Sequence, residues 1–101
     1  MKCLSLIINE SSKNEIVELM RGLDEVEGYT IFHGEGHYSG SIQPFESAHD
    51  EVLGYVPRIR IDVFLNDEDV EEVIKRIKTC TVCTSRRGLY WTSTVDNMGE
   101  L

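Results

Sequence analysis

Three groups of residues in this chain have types and spacings that could do chemistry. The first is Cys80-x-x-Cys83, a spacing that suits two thiolates on a soft metal ion or a thiol–disulfide pair. A tetrahedral zinc site would need two further ligands, and no second CxxC is present. His37 could complete the set, or His49 if its segment folds over. Cys80, Cys83 and His37 are therefore the metal candidates, with a metal ion as the cofactor, and a structural or incidental cysteine pair is the competing reading.

The second group is Gly34-Glu35-Gly36-His37-Tyr38. Glycine lets a backbone approach a phosphate or carboxylate closely and tolerates positive φ, so these N–H groups could bind an anion. They fit equally a bulge or turn where a strand ends, and with no third glycine opening a helix they are not a dinucleotide fingerprint. The third group is basic: Arg86-Arg87, with Arg58 earlier in the chain. Paired guanidiniums suit a bidentate grip on oxyanions, although charges in a polar connector can also simply be solvated. Elsewhere, His33 reads as a strand residue, Tyr90 and Trp91 as core and interface packing, and the carboxylates from Asp67 to Glu72 as the solvated start of a helix. No nucleophile, base and orienting group assemble, so catalysis is not expected.

The elements that must position these residues fit one domain, because 101 residues leave room for a single thin core. A site shared between subunits suits such a chain better than a deep private cavity. Ten Lys+Arg stand against 18 Asp+Glu, a formal charge of -8, and net repulsion excludes nucleic acid as a partner. No apolar run approaches the roughly 18 residues of a membrane span, and the opening Met1 to Asn9 lacks the marks of a signal peptide. A cytoplasmic location without direct membrane insertion is the expectation. Three cysteines, an odd number, without an export signal predict reduced thiols.

Leu4, Leu6 and Ile8 alternate as in a strand. Ser12-x-x-Glu15 then reads as a capping box before Ile16, Val17, Leu19, Met20 and Leu23 at helical spacing. Tyr29 to His33 is a second strand, and Ser39 to Val56 a long loop without sustained period, of the kind that carries function. From Pro57 the alternation is clean: Ile59, Ile61, Val63 and Leu65 face one way, Arg58, Arg60, Asp62 and Phe64 the other. Asn66 caps a helix with the stripe Val70, Val73, Ile74 and Ile77, and after the connector Thr79 to Arg87 a last strand covers Leu89 to Val95 before the tail, 96–101.

The order β-α-β-β-α-β predicts an α+β, ferredoxin-like fold: a four-stranded antiparallel sheet, spatial order 4-1-3-2, with two helices on one face. Chain direction then gathers Gly34 to Gly40, the long loop, Arg58 and Cys80 to Gly88 at one end of the sheet. With strands about 4.8 Å apart, Arg58 and Arg87 start about 10 Å from each other, within reach of one small anion. Ile7, Phe32 or Tyr29, and Phe64 on the open face need cover, which predicts a subunit interface.

Met1-Lys2, Gly28-Tyr-Thr30, Gly34-Glu-Gly36, Pro57-Arg-Ile-Arg-Ile-Asp-Val63 and Asp67-Glu-Asp-Val-Glu-Glu-Val-Ile74 together resemble the nitrogen regulatory PII signal-transduction proteins, from Met1 to about Lys78. The resemblance implies a homotrimer, an adenine nucleotide as effector between subunits, and target docking by a loop corresponding to 39–56. It places Gly34, Gly36, His37, Tyr38, Arg58, Arg86 and Arg87 at the effector. Where family members that bind ATP carry G-D-G-K, this chain has Ser85-Arg-Arg-Gly-Leu89. His37-Tyr38 stands in place of their Arg-Gln, and Val95-Asp-Asn-Met-Gly99 in place of their R-I-R-T-G. It is thus most similar to divergent PII-like proteins associated with metal-efflux or inorganic-carbon transport, which implies a target protein of transporter type. A metal-binding or metal-stress protein using the CxxC motif is the alternative.

Overall fold

Residues 1–38, 48–84 and 88–101 are described by the computed structural model of the chain. Strand β1 (Lys2–Asn9) runs into a 3-10 turn, Glu10–Ser12, and helix α1 (Lys13–Arg21). Strand β2 (Tyr29–Gly36), helix α2 (Ala48–Leu53) and strand β3 (Val56–Leu65) follow. A second 3-10 turn, Asp67–Asp69, leads to helix α3 (Val70–Lys78), the short helix α4 (Thr81–Thr84) and strand β4 (Leu89–Thr94). The sheet order is β2-β3-β1-β4 with every pair antiparallel. This is the expected 4-1-3-2 order read from the other edge, so the ferredoxin-like α+β architecture holds.

Period-two alternation puts Leu4, Leu6 and Ile8 of β1 and Ile59, Ile61, Val63 and Leu65 of β3 on one face. There they pack with Ile16 and Met20 of α1, Leu23 beyond it, and Val70, Val73 and Ile77 of α3. Burying each such side chain is worth about 1.5–3 kcal/mol, which fixes the register because a one-residue slip would turn the whole set to solvent. The opposite face carries Asn9, Ile7, Ser5 and Cys3 beside Arg58, Arg60, Asp62 and Phe64, and across β1 lie Leu89, Trp91 and Ser93 of β4.

Several local expectations differ from the structure. Asn66 forms no side-chain cap, and the connector after α3 contains α4. Ser12 forms no side-chain cap; its Oγ donates instead to the Val82 carbonyl at 3.1 Å, so the expected capping box is replaced by a strap between α1 and α4. The stretch read as unbroken loop contains α2, none of whose residues is buried, and which Gly54 closes at φ +79°, its N–H donating to the Asp50 carbonyl at 3.0 Å. Strand β2 continues through Gly36, so the Gly34-x-Gly36 pair is strand and not a departing turn. Finally, Cys80 and Cys83 form a disulfide; only Cys3 is free, which corrects the expectation of three reduced thiols. Residues 39–47, the first half of the expected docking loop 39–56, lie outside the described residues, as do Ser85, Arg86 and Arg87. Among the described residues no helix is long and apolar enough to cross a membrane.

Candidate functional site

The end of β2, the start of β3 and the middle of β1 meet on the open face in a cleft of about 440 Å³ that takes in Gly34, Gly36, His37, Tyr38 and Arg58. The register makes this convergence: Gly34 lies opposite Arg58, which lies opposite Asn9 on its other side. Five of the seven expected effector residues therefore share one cleft; Arg86 and Arg87 are the other two. Its remaining walls are mainly apolar, with Ile7, Phe32 and Leu89 beside the Arg60 side chain.

Arg58 is 5% exposed although it belongs to the open face. Its Nη1 donates to Asn9 Oδ1 at 2.6 Å, and its Cζ lies 6.0 Å from the centre of the Tyr38 ring, at the outer limit of a cation–π contact. Its guanidinium brings a positive charge to the cleft wall. Gly36 makes room for the arginine stem: a Cβ there would stand 2.8 Å from Arg58 Cγ and 3.3 Å from two atoms of the Tyr38 ring. At Gly34 a Cβ would meet nothing within 4 Å, and neither glycine has positive φ. Close approach at Gly36, not backbone freedom, is the steric demand of this motif.

His37 lies on the exposed rim. Its Nε2 is 2.9 Å from Glu35 Oε1, and its ring centre is 5.9 Å from that of Tyr55. Arg60 is differently engaged, with Nε donating to Asp62 Oδ1 at 2.9 Å and Cζ 5.2 Å from the Trp91 ring centre. Asp62 also accepts from the buried Ser5 hydroxyl at 2.8 Å. Arg60 thus has a carboxylate beside it, and Arg58 is tied to the Asn9 amide oxygen. Asn9 and Tyr55 were not singled out in the sequence, because their roles arise from strand register and from the fold-over of α2.

The metal set does not assemble. Cys83 lies among Leu6, Ile8, Ile74 and Ile77 on the helix side of the sheet, whereas His37 lines the cleft on the open side, and the disulfide leaves neither sulfur as a thiolate. His33 lies 3.8 Å from Glu10 Oε1 and, with His49 and Asp50, borders a second, more polar cleft beside α2. Among the described residues no three His, Cys, Asp or Glu side chains group as a metal site.

The antiparallel order β2-β3-β1-β4 with its helix layer is the ferredoxin-like fold that PII-like proteins share. Within that fold the chain belongs to the DUF3240 family, described as protein of unknown function, whose model matches residues 1–101. A solved DUF3240 family protein from Shewanella baltica OS155 is 17% identical, with a TM-score of 0.74 over 99% of this chain and 94% of that one. CPII, a nitrogen regulatory PII-like protein from Thiomonas intermedia K12 solved with ADP, AMP and bicarbonate, is 18% identical, with a TM-score of 0.69 and the same coverage. No curated protein matches the sequence.

Proposed function

We propose that this chain is a PII-like regulator: it binds a small anionic effector, an adenine nucleotide, at the Arg58 cleft and controls a partner protein of transporter type through residues 39–56. The observation that carries this reading is the built arginine, a buried guanidinium fixed by Asn9 and seated over Gly36 in a cleft that Tyr38 and His37 border. The same fold holds ADP, AMP and bicarbonate in CPII. Phe32 and Phe64 are about half exposed, and Leu89 and Trp91 are also open to solvent. An uncovered apolar face of this kind favours association, and a homotrimer would close the cleft with a second copy. Arg86 and Arg87 would add to the grip on the phosphates. Effector binding would act by favouring one arrangement of the docking segment.

Thermal unfolding of the full chain with ADP, AMP, ATP or bicarbonate tests the reading. A ligand at 100 times its Kd adds about 2.7 kcal/mol, a midpoint rise on the order of 10 °C for a domain of this size. Arg58→Met, which keeps the stem volume, and the rim variant His37→Ala should reduce that rise. Absence of any rise, or one unchanged in Arg58→Met, overturns the reading. Light scattering should return a trimer, and Phe32→Glu should dissociate it.

A further inference from the structure

The Cys80–Cys83 pair lies on the helix side of the sheet, apart from the Arg58 cleft, and the regulatory reading makes no use of it. We propose that it is a reversible thiol–disulfide exchange site, present here in its oxidised form, whose reactant is an external dithiol such as a dithiol–disulfide oxidoreductase carries. Three observations carry this.

First, the two cysteines are held together by more than their bond. Their Cα atoms are 5.3 Å apart, within the range of any disulfide. The Cys80 N–H donates to the Ile77 carbonyl at 3.0 Å, and the Thr84 N–H to the Cys80 carbonyl at 3.1 Å. These bonds, with the Thr84 hydroxyl on the Cys80 carbonyl, hold Cys80 and the end of the turn that carries Cys83 independently of the sulfurs, so the bridge can break and re-form without refolding. A bridge three residues long also constrains the unfolded chain least, which makes stapling a weak reason for it.

Second, the two cysteines are unequal. Cys83 is 1% exposed within the core, while Cys80 is only partly buried, so Cys80 is the one nearer to solvent and to an incoming thiolate. Third, the Cys83 N–H donates to Cys80 Sγ at 3.3 Å. That donor stabilises negative charge on Cys80 once the bridge opens, whereas the apolar setting of Cys83 disfavours its thiolate. Cys80 is therefore the exchanging sulfur and Cys83 the resolving one.

The step balances. A thiolate of the external dithiol attacks Cys80 Sγ, forming a mixed disulfide and breaking the Cys80–Cys83 bond; Cys83 leaves as thiolate and takes up a proton. The second thiolate of the reactant then attacks its own sulfur in the mixed disulfide and releases Cys80. The reactant ends as a disulfide, and the chain has gained two electrons and two protons. The reverse sequence reoxidises it.

The test equilibrates the full chain with mixtures of reduced and oxidised dithiothreitol, quenches in acid, alkylates with a maleimide and counts thiols by mass. The count should move reversibly between one, Cys3 alone, and three, in a single two-electron transition. Cys3→Ser should shift the limits to zero and two without moving the midpoint. With one partner removed, Cys80 in Cys83→Ser should react with a soluble disulfide probe at least about tenfold faster than Cys83 does in Cys80→Ser. A native protein that keeps one thiol in excess reduced dithiothreitol holds a static bridge. One that keeps three in excess oxidised dithiothreitol forms none, and equal probe rates remove the division of roles. Any of these overturns the proposal, and none bears on effector binding at Arg58.

Discussion

Replacing Gly36 with alanine should cost stability, and replacing Gly34, two residues earlier on the same strand, should not. The Cβ introduced at position 36 would stand 2.8 Å from Arg58 Cγ, about 1 Å inside an ordinary carbon–carbon contact. Cγ is near the root of its side chain, whose far end is tied to Asn9 at 2.6 Å in a 5% exposed residue, so it has little freedom to swing aside. Overpacking of this kind costs about 1–3 kcal/mol, and breaking the charged hydrogen bond to relieve it costs about 1.5–3 kcal/mol. The lower chain entropy of alanine returns about 0.4–1 kcal/mol, leaving a net loss of about 1–2 kcal/mol. At Gly34 the new methyl meets nothing within 4 Å, so only the gain remains. The two variants should differ by about 2 kcal/mol, or about 8–16 °C in Tm for a chain of this length. Urea titration and thermal unfolding of both, side by side, measure the difference. Equal shifts in the same direction would refute the packing of the Arg58 stem on Gly36.

Ile61 is fully buried on the inner face of β3, so Ile61→Ala should lower stability by about 2–5 kcal/mol, seen as a reduced urea midpoint at unchanged m-value. Asp67 is tied to the Met1 amino group, 2.8 Å from its Oδ1, and this hydrogen bond, helped by the charges of the amino terminus and Lys2, lowers its carboxyl pKa. A depressed folded-state value adds stability above the unfolded value of about 3.9, and that contribution is lost as pH falls through the folded value. Asp67→Asn should therefore be slightly less stable at pH 7, with the gap closing below about pH 4; thermal midpoints across this range check it, and a gap that widens toward acid contradicts it.

The architecture was legible because burial follows simple periods. Ile59, Ile61, Val63 and Leu65 alternate and are all buried, and the stripe at Val70, Val73 and Ile77 is buried at helical spacing. Helix α2 was hidden because it buries none of its residues and so has no apolar stripe to betray it. Ser12 carries a capping-box pattern, but a cap needs its Oγ to accept from a backbone N–H of the first turn, and here the hydroxyl makes no such bond and donates to the Val82 carbonyl 70 positions away. The alternation placed Arg58 on the polar face correctly. Its burial depends on which residues flank it across two strands, and that pairing is long-range. The bridge between Cys80 and Cys83 was obscured by arguments from cysteine number and compartment, which say nothing about two side chains held one turn apart.

The place of β1 in the sheet has a consequence for how the molecule forms. It lies between β3 and β4, both later in the chain, and its contact with β3 joins Asn9 to a residue 49 positions on. On the ribosome β1 thus emerges before either neighbour exists. Closing so distant a pair is entropically slow, whereas β2 and β3, nearer in sequence, can pair first. The strand carrying Leu4, Leu6 and Ile8 is synthesised before both of its neighbours, and until they follow, its backbone and apolar side chains have neither native partner strand to cover them.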